Sequence, residues 1–116
     1  MEKWLENYKL AKKIEDLENR CVEENNLIEA PEVYFKPSTP EQECYFDCFH
    51  KGMGLINVNG ELNELRFKEM MRMWYFGEKK AAEDAETLMK CASRVKDVEG
   101  CQKGVVINTC LFIDDN

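Results

Sequence analysis

Six cysteines and one histidine are the residues of this 116-residue chain whose types and spacing could do chemistry. Cys21, Cys44, Cys48, Cys91, Cys101 and Cys110 follow the pattern C-x22-C-x3-C-x42-C-x9-C-x8-C. An even number of cysteines in so short a chain reads as three disulfides formed in an oxidising compartment. Zinc is the competing chemistry. A zinc site joins one close cysteine pair to a second pair or to paired histidines. Here only Cys44 and Cys48 are close and His50 is the sole histidine, so no metal is expected. With every thiol oxidised, no cysteine nucleophile remains. No G-x-S-x-G, no H-E-x-x-H and no Gly-rich phosphate loop is present. The chain is therefore expected not to be an enzyme and to use no cofactor. His50 reads as a surface or hydrogen-bonded histidine rather than a switch.

The elements that must position the cysteines are helices. From Glu2 to Glu24, Leu10, Ile14, Leu17 and Cys21 form an apolar stripe with Trp4, Tyr8 and Ala11 beside it, which predicts a long amphipathic helix. Pro31, Pro37 and Pro40 rule out one continuous helix over Asn25 to Pro40. The apolar Leu27, Ile28, Val33, Tyr34 and Phe35 predict a short helical turn plus an extended strip packed across the body, with Tyr34 and Phe35 as cap or wall residues. Thr39-Pro40-Glu41-Gln42 is a helix start with a capping box. That helix carries Cys44 and Cys48 on one face and is expected to stop at Gly52. An exposed turn over Asn57 to Gly60 follows, and Asn63 can cap a helix with Phe67, Met70, Met71 and Trp74 on its apolar face. Gly77 is its expected stop. An alanine-rich helix with Leu88, Met89, Cys91, Ala92 and Val95 comes next. The last, from Glu99 to about Phe112, has almost no polar face and is expected in the middle of the domain. The reading is a single all-α domain, 1–116, of five to six short helices around an apolar cavity.

Geometry limits the pairing without fixing it. Cys44 and Cys48 have parallel Cβ directions on one helix, so a bond between them would be strained. Cys101 and Cys110 lie on opposite faces of theirs and should bond to two different helices.

At this point the chain resembles the insect odorant-binding protein family, the pheromone and general odorant binders of the six-cysteine type. The resemblance rests on the three-residue gap between the second and third cysteines and the eight-residue gap between the fifth and sixth. It rests also on the stretch from Cys44 to Glu61, Cys-Tyr-Phe-Asp-Cys-Phe-His-Lys-Gly-Met-Gly-Leu-Ile-Asn-Val-Asn-Gly-Glu. It spans Cys21 to Cys110. It implies an interlocked pairing, Cys21 with Cys48, Cys44 with Cys101 and Cys91 with Cys110. Only Leu111 to Asn116 follow the sixth cysteine, too few for the inserted C-terminal helix of longer members. Leu111, Phe112 and Ile113 could fold back as a lid, and any acid-triggered release would depend on carboxylates such as Asp114 and Asp115.

The resemblance implies an extracellular, non-covalent carrier of small hydrophobic ligands such as odorants, pheromones or fatty-acid-like molecules. A membrane chemoreceptor is the implied partner and a monomer or weak homodimer the implied state. The composition fits a carrier. Large adaptable apolar side chains exceed what one helix face needs, and methionine repacks readily around varied ligands. The expected lining is Tyr8, Tyr34, Phe35, Met53, Leu55, Phe67, Met70, Met71, Trp74, Leu88, Ala92, Val106, Thr109, Phe112 and Ile113. Two alternatives compete: a salivary-type scavenger of biogenic amines or eicosanoids on the same fold, and a disulfide-stapled protein-interaction module with no cavity. Net charge −7 disfavours nucleic acid and anionic membrane surfaces as partners. No apolar run is long enough to span a bilayer. No apolar stretch follows Met1-Glu2-Lys3, so the chain reads as a mature secreted form with an added start methionine.

Overall fold

The computed structural model describes residues 2–32, 36–74 and 88–110, with side chains over 8–32, 36–69 and 88–110. Within them lie five helices: α1 (Glu2–Glu24), α2 (Pro40–Gly52), α3 (Glu64–Trp74), α4 (88–96) and α5 (Gln102–Asn108). No β-strand is formed among the described residues. A single bridge between Ile56 and Leu62 closes the loop ahead of α3.

The apolar stripe of α1 goes under progressively. Leu10 and Ile14 are half-buried, Leu17 and Cys21 are buried, while Tyr8 and Ala11 of the adjoining stripe face solvent. The anchors to α2 explain the gradient. Both the Cys21–Cys48 disulfide and the packing of Leu17 on Gly52 lie in the second half of α1. The helix ends in a Schellman motif, with Asn26 left-handed at φ 57°. Asn26 N donates to Glu23 O and Leu27 N to Val22 O, and Leu27 and Val22 both lie against the core.

The connector to α2 departs from expectation. No helical turn forms in its described residues, and Ile28 is fully exposed. Leu27 is pulled inward by the Schellman motif and Ile28 is the residue left outside it. Thr39 caps α2, its Oγ1 accepting from Gln42 N at 3.2 Å. The return bond of the expected capping box is displaced by one residue: Gln42 Oε1 accepts from Ser38 N at 2.8 Å.

The end of α2 also differs from its sequence reading. Gly52 is the last helical residue and not the stop. The left-handed position is Gly54 at φ 84°, with Leu55 N bonded to His50 O and Gly54 N to Lys51 O. Gly52 is needed for another reason: a Cβ there would overlap the Leu17 side chain. Beyond it, Asn57 Oδ1 accepts from Asn59 N and Glu61 N, each at 3.0 Å, and fixes the exposed turn. Asn63 Oδ1 then caps α3 through Arg66 N. Arg66 Nε donates to Met53 O at 2.7 Å and ties α3 back to the end of α2.

α2 packs on α1 and, more extensively, on α5. Gly104 makes it possible, since a Cβ there would collide with the backbone of Asp47 and Phe46. The Cys44–Cys101 disulfide and a hydrogen bond from Gln102 Nε2 to Glu43 Oε2 hold the same contact. The Cys91–Cys110 disulfide joins α4 to the turn after α5, and Lys103 Nζ donates to Val95 O near the end of α4. The expectation of an almost entirely buried last helix holds only in part. Gly104, Ile107 and Asn108 are buried, but Val105 and Val106 are half-buried and Gln102 is exposed. α5 meets α2 along one side only. Gly77, the alanine-rich stretch at 81–87 and the tail from Leu111 fall outside the described residues.

Candidate functional site

Three aromatic residues on α2 form the floor of a pocket of about 320 Å³. They are Tyr45, Phe46 and Phe49, all at least nine-tenths buried. Their spacing places Tyr45 and Phe49 one turn apart on one face. The rings of Tyr45 and Phe49 stack with centroids 6.2 Å apart, and Tyr45 meets Phe46 edge-to-face at 5.4 Å. Ala30, Pro31 and Glu32 from the α1–α2 connector and Glu18 of α1 line the same pocket. The Cys21–Cys48 disulfide is what brings the end of α1, and the connector with it, against this face of α2.

The charged groups among the described lining residues are both acidic. Burial, and then the neighbouring Glu15, raises the Glu18 carboxyl above its ordinary value. Burial raises the Tyr45 phenol strongly as well, with the negative Glu18 adding to it. No lysine or arginine is among the described lining residues.

Behind the aromatic floor the core carries two polar features. His50 is fully buried, with Nε2 3.1 Å from Asn108 Oδ1 on α5, and its Nδ1 has no partner. Burial pushes the His50 imidazole down to about 4, against a smaller upward pull from Asn108. Asp47 is buried beside it on α2, with Oδ2 2.8 Å from Lys51 Nζ and Oδ1 unpartnered. Asn108 makes interactions beyond that with His50. Among the described residues no group of three or more His, Cys, Asp or Glu could hold a metal ion. No described helix is long and apolar enough to cross a membrane.

The sequence-derived lining set is distributed as follows. Met53, Leu55, Phe67 and Leu88 are buried in one core cluster together with Tyr45, Phe46 and Phe49, and Ala92 and Val106 pack against that cluster. Thr109 is half-buried and its hydroxyl donates to Val105 O at 2.9 Å. Tyr8 is 58% exposed on the outer side of α1. Met70, Met71 and Trp74 belong to α3 by backbone, and their side chains lie outside the described residues, as do Tyr34, Phe35, Phe112 and Ile113. None of the described members of that set lines the pocket over α2. The residues that do were missed although the sequence carried a signal for them. Tyr45 and Phe49 repeat the i, i+4 spacing of Cys44 and Cys48 one residue along, with Phe46 beside them.

The sequence matches the family model described as PBP/GOBP family over residues 5–113. No curated protein and no solved structure matches it.

Proposed function

Because the chain belongs to the PBP/GOBP family of insect pheromone-binding and general odorant-binding proteins, we propose that it is a single-domain extracellular carrier holding a small apolar molecule over the aromatic floor of α2. The observation that carries the reading is the pocket of about 320 Å³ walled by Tyr45, Phe46, Phe49, Ala30 and Pro31. That volume suits a ring or short chain of odorant size at the lower end of small-molecule sites. Affinity would come from burying apolar surface at about 25 cal/mol per Å². Three disulfides fit an oxidising extracellular setting. Met53, Leu55, Phe67 and Leu88, in the same apolar cluster as the floor, are proposed as the compliant wall that repacks for longer ligands. Met70, Met71, Trp74, Phe112 and Ile113 are proposed to extend that wall.

Displacement of the fluorescent apolar probe N-phenylnaphthylamine tests the reading. Long-chain alcohols, esters or fatty acids should displace it at micromolar levels, and Ala30→Phe, which fills the pocket from the connector without opening the core, should weaken every one of them. Failure of the probe and of all three ligand classes to bind would overturn the carrier function. Binding unchanged in Ala30→Phe would move the site away from α2.

A further inference from the structure

Two of the three disulfides open onto one surface groove. It is a hollow of about 600 Å³ beside the end of α1, and its lining includes Cys44, Cys48 and Cys101 together with Glu24, Asp47 and Lys51. Cys44 and Cys101, the two ends of one bridge, are both half-buried. The other bridges are different. Cys91 and Cys110 are 0% and 6% exposed, and neither lines the groove. The Cys21–Cys48 bridge presents one sulfur only, because Cys21 is 0% exposed. Its half-buried end has the Glu24 carboxylate against it, with Oε2 3.4 Å from Cys48 Sγ.

We propose that Cys44–Cys101 is a thiol-exchange site: a small thiol of the glutathione class enters the groove, opens this bridge and leaves the other two closed. The attacking species is the thiolate, and access decides which disulfide it reaches. The thiolate forms a bond to Sγ of one cysteine, the Cys44–Cys101 bond breaks, and its electron pair leaves on the other sulfur. A second thiolate then attacks the mixed disulfide. Two reagent thiols are oxidised to one free disulfide, and the two protons they lost end on Cys44 and Cys101. Either sulfur of this bridge accepts the attack, since both are accessible. At Cys21–Cys48 both routes are closed. Attack at Cys48 brings a negative charge onto Glu24, and attack at Cys21 needs a sulfur that solvent does not reach. The acids nearest Cys44 in sequence are engaged elsewhere: Asp47 Oδ2 is 2.8 Å from Lys51 Nζ, and Glu43 Oε2 accepts from Gln102 Nε2. The volume of the groove falls within the range of small-molecule sites. Opening removes the covalent tie between α2 and α5 but not their packing, which rests also on Gly104 against Asp47 and Phe46 and on the Gln102–Glu43 bond. This chemistry is independent of what the pocket over α2 holds.

The test incubates the folded, oxidised protein with increasing reduced glutathione at neutral pH and without denaturant. Samples are quenched with iodoacetamide, and the modified cysteines are located by peptide mass spectrometry. Cys44 and Cys101 should be alkylated, or carry glutathione, about tenfold or more sooner than the other four cysteines, at a rate proportional to glutathione. Circular dichroism of that form should keep its helical signal. In Glu24→Gln, Cys21–Cys48 should open a few-fold faster while the Cys44–Cys101 rate is unchanged, a result that exposure alone does not give. Another bridge opening first would overturn the proposal. So would all three opening together at a rate independent of glutathione, since attack would then wait for global unfolding. Loss of the helical signal with the first bridge would overturn it as well. No change in Glu24→Gln would remove the electrostatic guard on which selection between the two groove bridges rests.

Discussion

His50 offers a prediction whose size and sign both follow from its surroundings. The imidazole is fully buried between α2 and α5, and burial lowers it from 6.5 to about 4. In the unfolded chain the same group takes up a proton near its ordinary value. Stability from a neutral His50 is therefore complete above about pH 6.5. It is lost as the pH falls from there to about 4, where the folded protein takes up the proton too. The interval corresponds to about 3 kcal/mol, a large part of the stability of a domain this size. The informative variant is His50→Gln, which keeps a side-chain N–H donor for Asn108 Oδ1 and removes the titration. Urea denaturation of both proteins at a series of pH values gives the difference directly, since the carboxylates titrate alike in each. Above pH 7 the stability difference should be constant. Between about pH 6.5 and 4 it should shift by about 3 kcal/mol against the wild type. Two curves that stay parallel through that interval would refute the reasoning, by showing that His50 is solvated or that its charge finds a partner.

Four further variants probe how α2 is held. Gly104→Ala should destabilise by about 2 kcal/mol or more even after the gain of about 1 kcal/mol in helix propensity, because its Cβ meets backbone atoms of Asp47 and Phe46 that cannot turn aside. Gly52→Ala should cost clearly less, since its Cβ meets only the movable end of Leu17, and thermal melts of the two variants should rank them in that order. Replacing Cys44 and Cys101 together by alanine opens the longest of the three covalent loops, with a separation of 57 residues. It should cost about 4 kcal/mol by loop entropy, somewhat more than removing either other pair, as equilibrium denaturation under non-reducing conditions would show. Thr39→Ala removes the cap on Gln42 N and should cost about 1 kcal/mol, visible as a lower urea midpoint with unchanged slope.

How far the fold could be read in advance depends on the range of each interaction. The caps at Thr39 and Asn63 and the turn at Asn57 are contacts between residues a few positions apart, so sequence neighbours specify them. The apolar face of α1 was legible by period, but its depth was not. Periodicity marks the side a helix can bury, whereas the partner decides how much of that side is covered. Tyr8 and Ala11 stay exposed because the bonds to α2 begin only at Leu17 and Cys21. Gly52 shows the same limit. Its position near a helix end suggested a stop, while its missing side chain serves a contact with a residue 35 positions earlier.

By itself, then, the sequence determined that the chain is helical, where most of its helices begin, and that six cysteines in this spacing mark a stapled helical domain. Those properties are local, or follow from counting residues of one type. Tertiary structure alone decided what covers the aromatic face of α2. It brought Glu18, Ala30, Pro31 and Glu32 to one pocket with Tyr45, Phe46 and Phe49, and it made a lone histidine the most buried titratable group described. Each of those placements joins segments far apart in the chain, and closing such loops costs entropy that only the folded whole, with its interlocked disulfides, offsets.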